Sequence, residues 1–157
     1  MKLAVFSDTH GSYAACEAIC ADCPDADLYI HLGDGYEQAQ RLRRDHPTLP
    51  LLAVKGNCDF TATDADCKLT TLAGKRILYT HGHRFGVKNG LAALRAEAKR
   101  QSADIVLFGH THLPLCALED GVLYLNPGNA VTAAGYRYAL LVIQDDGTVT
   151  ADSLCAP

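Results

Sequence analysis

Short apolar runs recur along the chain, and most are rich in strand formers. Leu3–Phe6, Leu28–Leu32, Leu51–Val54 and Ile105–Phe108 predict strands, as do Cys67–Leu72 and Lys75–Tyr79, which Ala73-Gly74 would join as a hairpin. Segments of helical character lie between them. Tyr13–Cys23 follows Ser12, a residue suited to capping; Tyr36–Arg44 is mostly polar; in Gly90–Ser102, Leu91, Leu94, Ala98 and Gln101 recur at helical spacing. Beyond His112 the pattern changes to strands and tight turns. Leu115–Leu118, Val122–Leu125, Tyr138–Ile143 and Val149–Leu154 predict strands, with Asp120-Gly121 and Asp146-Gly147 at hairpin turns. Strands separated by helices imply parallel pairing, and hairpins imply antiparallel pairing. The expectation is an α/β sandwich in a single domain over residues 1–157, with sheet packed on sheet inside and helices outside.

Composition narrows the class of function. Of 157 residues, 48% are hydrophobic and 20% charged, enough apolar material to exclude a disordered chain. A formal net charge of −4 supplies no basic face for nucleic acid or an anionic membrane. No apolar run approaches the roughly 18 residues of a membrane span, and the run before Ser7 is too short for a signal peptide. The seven cysteines are odd in number and irregularly spaced, which suits reduced thiols in the cytoplasm better than a disulfide framework. Cys16, Cys20 and Cys23 have the spacing of a three-thiolate iron–sulfur motif. Together with Ile19 they also form the apolar face of a helix, where thiols act as small hydrophobes.

The candidate chemistry lies immediately after the apolar runs. Ser7-Asp8-Thr9-His10, Gly33-Asp34, Gly56-Asn57-Cys58-Asp59, Thr80-His81-Gly82-His83, Gly109-His110-Thr111-His112 and Asn126-Pro127-Gly128-Asn129 each come after a predicted strand. Carboxyl ends of parallel strands open into the ligand crevice of α/β sheets, so these clusters would converge on one rim. Carboxylates, imidazoles and a carboxamide suit Mg, Mn, Fe or Zn rather than an all-sulfur site. Asp8-x-His10 places two ligands on one face of a strand end, since side chains at i and i+2 share a face, and His110-x-His112 repeats that device. With Asp34, Asn57 and His81 the count is seven ligands, which fits two metals sharing a carboxylate. Singly, each piece has a plainer reading: Gly33-Asp34 as a helix-capping turn, Gly56-Asn57 as a left-handed turn, His81 or His83 as a loop histidine.

Taken together and in order, these blocks resemble the calcineurin-like metallophosphoesterase superfamily, in particular its small prokaryotic phosphodiesterase branch, over nearly the whole chain. The resemblance implies a four-layer αββα sandwich of mixed sheets with the metal site at the carboxyl ends of the strands. It implies that Asp8, His10 and His112 hold one divalent ion and that Asn57, His81 and His110 hold another, with Asp34 bridging. Mn²⁺ is the first expectation for both ions, with Fe, Zn²⁺, Ni²⁺ and Mg²⁺ as alternatives. The implied activity is hydrolysis of small phosphodiesters by in-line attack of a metal-bridging hydroxide. Asp34 and Asn57 then belong to the catalytic set, with Cys58 and His83. Many relatives carry His where Cys58 stands. A thiol is a poorer acid partner, which implies a slower diesterase favouring activated leaving groups, with His83 as a substitute proton donor.

The implied partners are a small phosphodiester, such as a nucleotide or cyclic nucleotide, and a second copy of the chain in a homo-oligomer. The rival reading is a scaffold like the retromer subunit that resembles this fold without catalysis. That route is expected to lose ligands, and all seven stand here. His31 is read as a satisfied core histidine. Lys55 and Arg84 are candidate phosphate contacts, and the loop from Asp59 to Asp66 is a candidate border of the substrate groove.

Overall fold

The computed structural model describes residues 1–156. Three parallel strands, β1 (Lys2–Phe6), β2 (Leu28–His31) and β3 (Leu51–Ala53), are linked by helices α1 (Tyr13–Asp22) and α2 (Tyr36–Asp45). The hairpin β4 (Cys67–Leu72) and β5 (Lys75–Thr80) follows, then α3 (Ala92–Arg100) and β6 (Ile105–Phe108). A second hairpin joins β7 (Leu115–Glu119) to β8 (Val122–Asn126), and β9 (Val131–Thr132), β10 (Gly135–Ile143) and β11 (Val149–Ala156) complete the described chain.

Two mixed sheets result. The first runs β11-β10-β1-β2-β3, with β9 on β10, and the second runs β4-β5-β6-β8-β7. Each contains three parallel strands: β1, β2 and β3 in one, β5, β6 and β8 in the other. Antiparallel strands flank the second trio on both sides, whereas in the first they lie only beside β1 and β3 is the edge strand. The registers align the strand ends, with Phe6 opposite His31 and His31 opposite Ala53. In the second sheet Thr80 stands opposite Phe108 and Leu107 opposite Leu125. The six loops that leave these ends therefore start at matched heights.

Alternation along each strand sorts the side chains into three apolar layers. Leu3, Val5, Ile30 and Leu141 of the first sheet meet Ile77, Ile105, Leu107 and Leu125 of the second, which forms the sheet-on-sheet core. Ala4, Phe6 and Tyr29 face the other way, onto Cys16, Ile19 and Cys23 of the α1 region and Ala39 and Leu42 of α2. Leu78, Val106 and Phe108 pack against Leu94 and Ala98 of α3. The order of layers is helix, sheet, sheet, helix, as the family resemblance implied.

Most predicted elements stand within a residue or two of their expected ends. The Ser12 hydroxyl caps α1 by accepting from the Ala15 amide at 3.3 Å. The third helix is shorter than the expected Gly90–Ser102 and starts at Ala92, because Gly90 has φ 127° and Leu91 has no side-chain acceptor to cap an earlier start. Single 3₁₀ turns at His83–Phe85 and Val87–Asn89 and the two-residue strand β9 were not predicted; they are too short to show a periodicity. Cys16 and Cys23 are buried, and burial pushes the Cys16 and Cys20 thiols up to about 12. They are packing groups, as the apolar helix face suggested. No helix among the described residues is long and apolar enough to cross a membrane.

Leu107 is 0% exposed between the sheets and Leu118 is 73% exposed on β7. Leu107→Ala is expected to cost about 2–5 kcal/mol in urea unfolding, against less than about 0.5 kcal/mol for Leu118→Ala.

Candidate metal centre

The first structural surprise is the backbone of the candidate ligands. Asp8 (φ 59°), His10 (φ 43°), Asp34 (φ 53°), His110 (φ 68°) and His112 (φ 62°) are all left-handed. The expected i, i+2 sharing of a strand face therefore does not operate. β1 ends at Phe6 and β6 at Phe108, and the ligands sit in the turns beyond them. Each turn is pinned to its neighbour: the Asp8 amide donates to Gly33 O and the His10 amide to Asp34 O, both at 2.9 Å, and the Gly109 amide to His81 O at 3.2 Å.

These turns gather possible ligand atoms to within 4.8 Å of one another in three groups. The first is Asp8, His10 and His112, the second is Asp34, His81 and His110, and a third, His10, Asp34 and Cys58, shares a residue with each. His110 and His112 thus part to different groups, where the sequence pattern suggested one chelating pair. In the first group His112 Nε2 lies 3.2 Å from Asp8 Oδ1 and 3.3 Å from His10 Nε2. Ligands held at about 2.0–2.1 Å from one ion and roughly at right angles or slightly wider stand about that far apart. In the second group His81 Nε2 is 3.4 Å from Asp34 Oδ2 and 3.1 Å from Asn57 Oδ1, which brings Asn57 into the set.

Supporting hydrogen bonds choose which atom of each ligand is free. Asp8 Oδ2 accepts from Ser7 Oγ at 2.6 Å and from the His110 amide at 3.1 Å, while Oδ1 is buried without a hydrogen-bond partner and faces His112. A buried, orphaned carboxylate oxygen beside two imidazole nitrogens is costly unless a cation satisfies it. His81 Nδ1 donates to Leu32 O at 2.8 Å, leaving Nε2 with its lone pair toward Asn57 and Asp34. His110 Nδ1 and His83 Nδ1 are two further buried atoms without a hydrogen-bond partner among the described residues. The residues present fit divalent cation binding.

Asp34 lies between the two groups. A carboxylate oxygen of Asp34 falls within 4.8 Å of ligand atoms of His10 and Cys58 on one side and of His81 and His110 on the other. Burial opposes ionisation of Asp34, but His81 and the Cys58 amide, which donates to Oδ1 at 2.7 Å, outweigh it and hold the carboxyl well below the usual range. Burial alone would lower His81; Asp34 and Asp8 reverse this and raise it. Burial, then His81 and Lys88, push His110 down to about 4, so its imidazole is neutral and available as a ligand. A hydrogen bond with Asp34, then burial, pushes the Cys58 thiol up to about 11.

His83 stands beside the second group, its ring centroid 5.4 Å from that of His81, with Nε2 turned to within 3.7 Å of Asp66 Oδ2. Lys55 donates to Ala62 O at 3.2 Å and Arg84 to Asp66 at 3.0 Å, so both expected phosphate contacts are already engaged within the chain. His31 is fully buried, with Nδ1 accepting from the Gly33 amide at 3.1 Å and Nε2 3.0 Å from Thr9 Oγ1. It is the satisfied core histidine that was expected.

Sequence reasoning places Asp59 only at the start of a loop bordering the candidate groove, and the structure gives it a further role. Its carboxylate accepts four backbone amides: Asp34 at 2.9 Å and Gly56 at 2.7 Å on Oδ2, and Gly35 and Tyr36, each at 2.9 Å, on Oδ1. It caps the start of α2, where Gly35 has no side chain to do so, and ties the two ligand loops together. Gly33 and Gly56 permit this approach, since a Cβ on Gly33 would stand 2.6 Å from Gly56 N and one on Gly56 would overlap Asp34 Oδ1. The only sequence cue was an Asp two residues after Asn57. Asp59→Ala is expected to cost about 1–2 kcal/mol in urea unfolding, as loss of a helix cap does, and to weaken Mn²⁺ uptake measured by calorimetry.

Comparison with known proteins shows the family and the fold. The family model for the calcineurin-like phosphoesterase superfamily domain matches residues 1–146. The chain is 35% identical to the probable metallophosphoesterase YsnB of Bacillus subtilis over 151 residues, covering 93% of this chain and 86% of that protein. It is 30% identical to the phosphodiesterase YfcE of Escherichia coli over 178 residues, covering 98% and 92%. The structure of YfcE superimposes with a TM-score of 0.66 over 98% of both chains. Wild-type Vps29 of Entamoeba histolytica, 21% identical, shares the fold with a TM-score of 0.75 over 98% of both chains. The two mixed sheets, the ordered ligand blocks and these matches place the chain in the calcineurin-like phosphoesterase superfamily, a family of metal-dependent phosphoric ester hydrolases.

Proposed function

We propose that the chain is a phosphodiesterase that uses two divalent ions, Mn²⁺ foremost, to hydrolyse small phosphodiesters by in-line attack. The observation that carries this reading is the position of Asp34 between two complete ligand groups. Asp8, His10 and His112 hold one ion and Asn57, His81 and His110 the other, with Asp34 contributing to both. When bound, such a pair supplies a nucleophile by acidifying water and neutralises charge on the phosphate oxygens. The chain's own part is preorganisation. Ser7 and the His110 amide fix Asp8, Leu32 O fixes the tautomer of His81, and the Cys58 amide and Asp59 fix the Asp34 turn. None of these groups must move as charge develops, which is where electrostatic catalysis gains most.

Cys58 sets the substrate preference. Its sulfur stands beside His10 and Asp34 and accepts from Asn57 Nδ2 at 3.3 Å. A thiol is a weak hydrogen-bond donor and a poor substitute for imidazole, so departure of a basic alkoxide receives little help here. His83 is the other proton-bearing group near the second ligand group. The relative YfcE, named a phosphodiesterase, lends further support to diesters. A complete ligand set argues for catalysis over a scaffold role, and seven free thiols suit the reducing cytoplasm.

Metal-stripped protein given Mn²⁺ is expected to cleave bis-p-nitrophenyl phosphate faster than p-nitrophenyl phosphate; no turnover with any divalent ion would overturn the proposal. Asp34→Asn and His110→Ala are each expected to lose at least about 100-fold in rate, the upper end of what loss of a mere supporting partner costs, together with bound metal read by elemental analysis. Cys58→His is expected to gain chiefly on diesters with alkyl leaving groups. A gain equal across leaving groups, or none, would remove Cys58 from the leaving-group position.

A further inference from the structure

Beside the ligand groups lies an open cleft of about 790 Å³, with His10, Asp34 and Cys58 at one end. One wall is the exposed face of α2; the other is the loop 59–63. On that loop Phe60 is 90% exposed, the most exposed of the large apolar side chains. Burying a phenyl ring is favourable, yet nothing among the described residues covers this one. The turn that carries it is not loose: the Ala62 amide donates to Asp59 O at 3.1 Å, Lys55 Nζ to Ala62 O at 3.2 Å, and the Asp59 carboxylate holds four amides. A second ring, Tyr36, lines the opposite wall and is fixed by donating to Asp64 at 2.9 Å, which Lys68 in turn holds at 2.7 Å.

Glu37, exposed on the first turn of α2, adds one carboxylate to the lining, and most of the remaining side chains are neutral and polar. Gln38, Gln40, Thr61 and Thr63 present carboxamides and hydroxyls that both donate and accept, as the edge of a heterocycle requires. An acyl chain would leave these groups unpaired. Arg44 is the one Lys or Arg of the lining and makes no hydrogen bond or ion pair among the described residues. It lies eight residues beyond Tyr36 on α2, about 12 Å further along at 1.5 Å per residue.

We propose that this cleft is a nucleotide subsite: the scissile phosphodiester sits at the metal pair, an adjoining nucleobase stacks on Phe60, and Arg44 binds a second phosphate. The inference rests on the phosphodiesterase reading and adds the class of substrate, a nucleotidyl phosphodiester carrying a further phosphate.

The test is calorimetric titration of Mn²⁺-loaded protein with inorganic phosphate, adenosine 5′-monophosphate and adenosine 3′,5′-bisphosphate. The monophosphate is expected to bind about tenfold or more tightly than phosphate, the scale of base–aromatic stacking, and the bisphosphate more tightly again. Phe60→Ala should collapse the monophosphate-to-phosphate ratio about tenfold and Phe60→Trp should retain it; Arg44→Gln should remove the added affinity of the bisphosphate. Equal affinity for phosphate and the monophosphate, or a ratio unchanged in Phe60→Ala, overturns the subsite. So does a change of sedimentation from oligomer to monomer in Phe60→Ala with the ratio intact, which would assign the ring to a second copy of the chain. Turnover of bis-p-nitrophenyl phosphate by the same preparation separates the two claims: hydrolysis without nucleotide preference sinks the subsite alone, and nucleotide preference without hydrolysis sinks the phosphodiesterase reading alone.

Discussion

The site depends on a backbone constraint: five candidate ligands must turn through left-handed conformations immediately after their strands. For residues other than glycine such a conformation costs about 1 kcal/mol or more. Asp and His are among the side chains that tolerate it best, which makes them suited to both tasks. The turn reverses the chain at the strand end, so the ligand is aimed across the rim instead of along the strand. It also places the amides of Asp8 and His10 on carbonyls of the next loop and the His110 amide on Asp8 Oδ2. Strain at the ligand is thereby tied to a hydrogen bond at its neighbour, and the loops hold one another in place.

Two sheets with separate ladders meet at this rim. Their cores interdigitate through Val5, Ile30, Ile105 and Leu107, which sets the distance between them. Polar links across the rim are few and specific, notably His81 Nδ1 to Leu32 O and the His110 amide to Asp8. The two histidine-rich groups draw on both sheets: Asp8 and His10 with His112, Asp34 with His81 and His110. A packing change between the sheets therefore alters the metal pocket directly. The charge balance points the same way, since buried Asp8 and Asp34 stand among imidazoles and Asp8 Oδ1 has no donor among the described residues.

The sequence made most of this legible because strand periodicity and ligand chemistry coincide at the strand ends. All six clusters that come after predicted strands come after parallel strands in the structure, three in each sheet. Asp8-x-His10 is a ligand pair for a reason other than the one its spacing suggests. Spacing implied a shared strand face, whereas left-handed turns bring the two together, and the same turns send His110 and His112 apart. Backbone handedness at Asp or His has no signature in one sequence, unlike a Gly at a hairpin. Asp59 was illegible for a related reason. Its partners are amides, which every residue offers, so only the close approach of Gly33 to Gly56 reveals it.

Asp59 also joins chemistry to recognition. Through its carboxylate it sets the Asp34 turn and the first turn of α2; through its backbone it carries Phe60 and closes the turn with Ala62. Both walls of the cleft are thus anchored to the residue that orients Asp34. A ligand pressing on Phe60 or α2 meets a wall tied to Asp34 rather than a free loop, and interactions made remote from the scissile bond can be realised as orientation at it. This one carboxylate thus ties the short 59–63 loop to the Asp34 turn and to the start of α2.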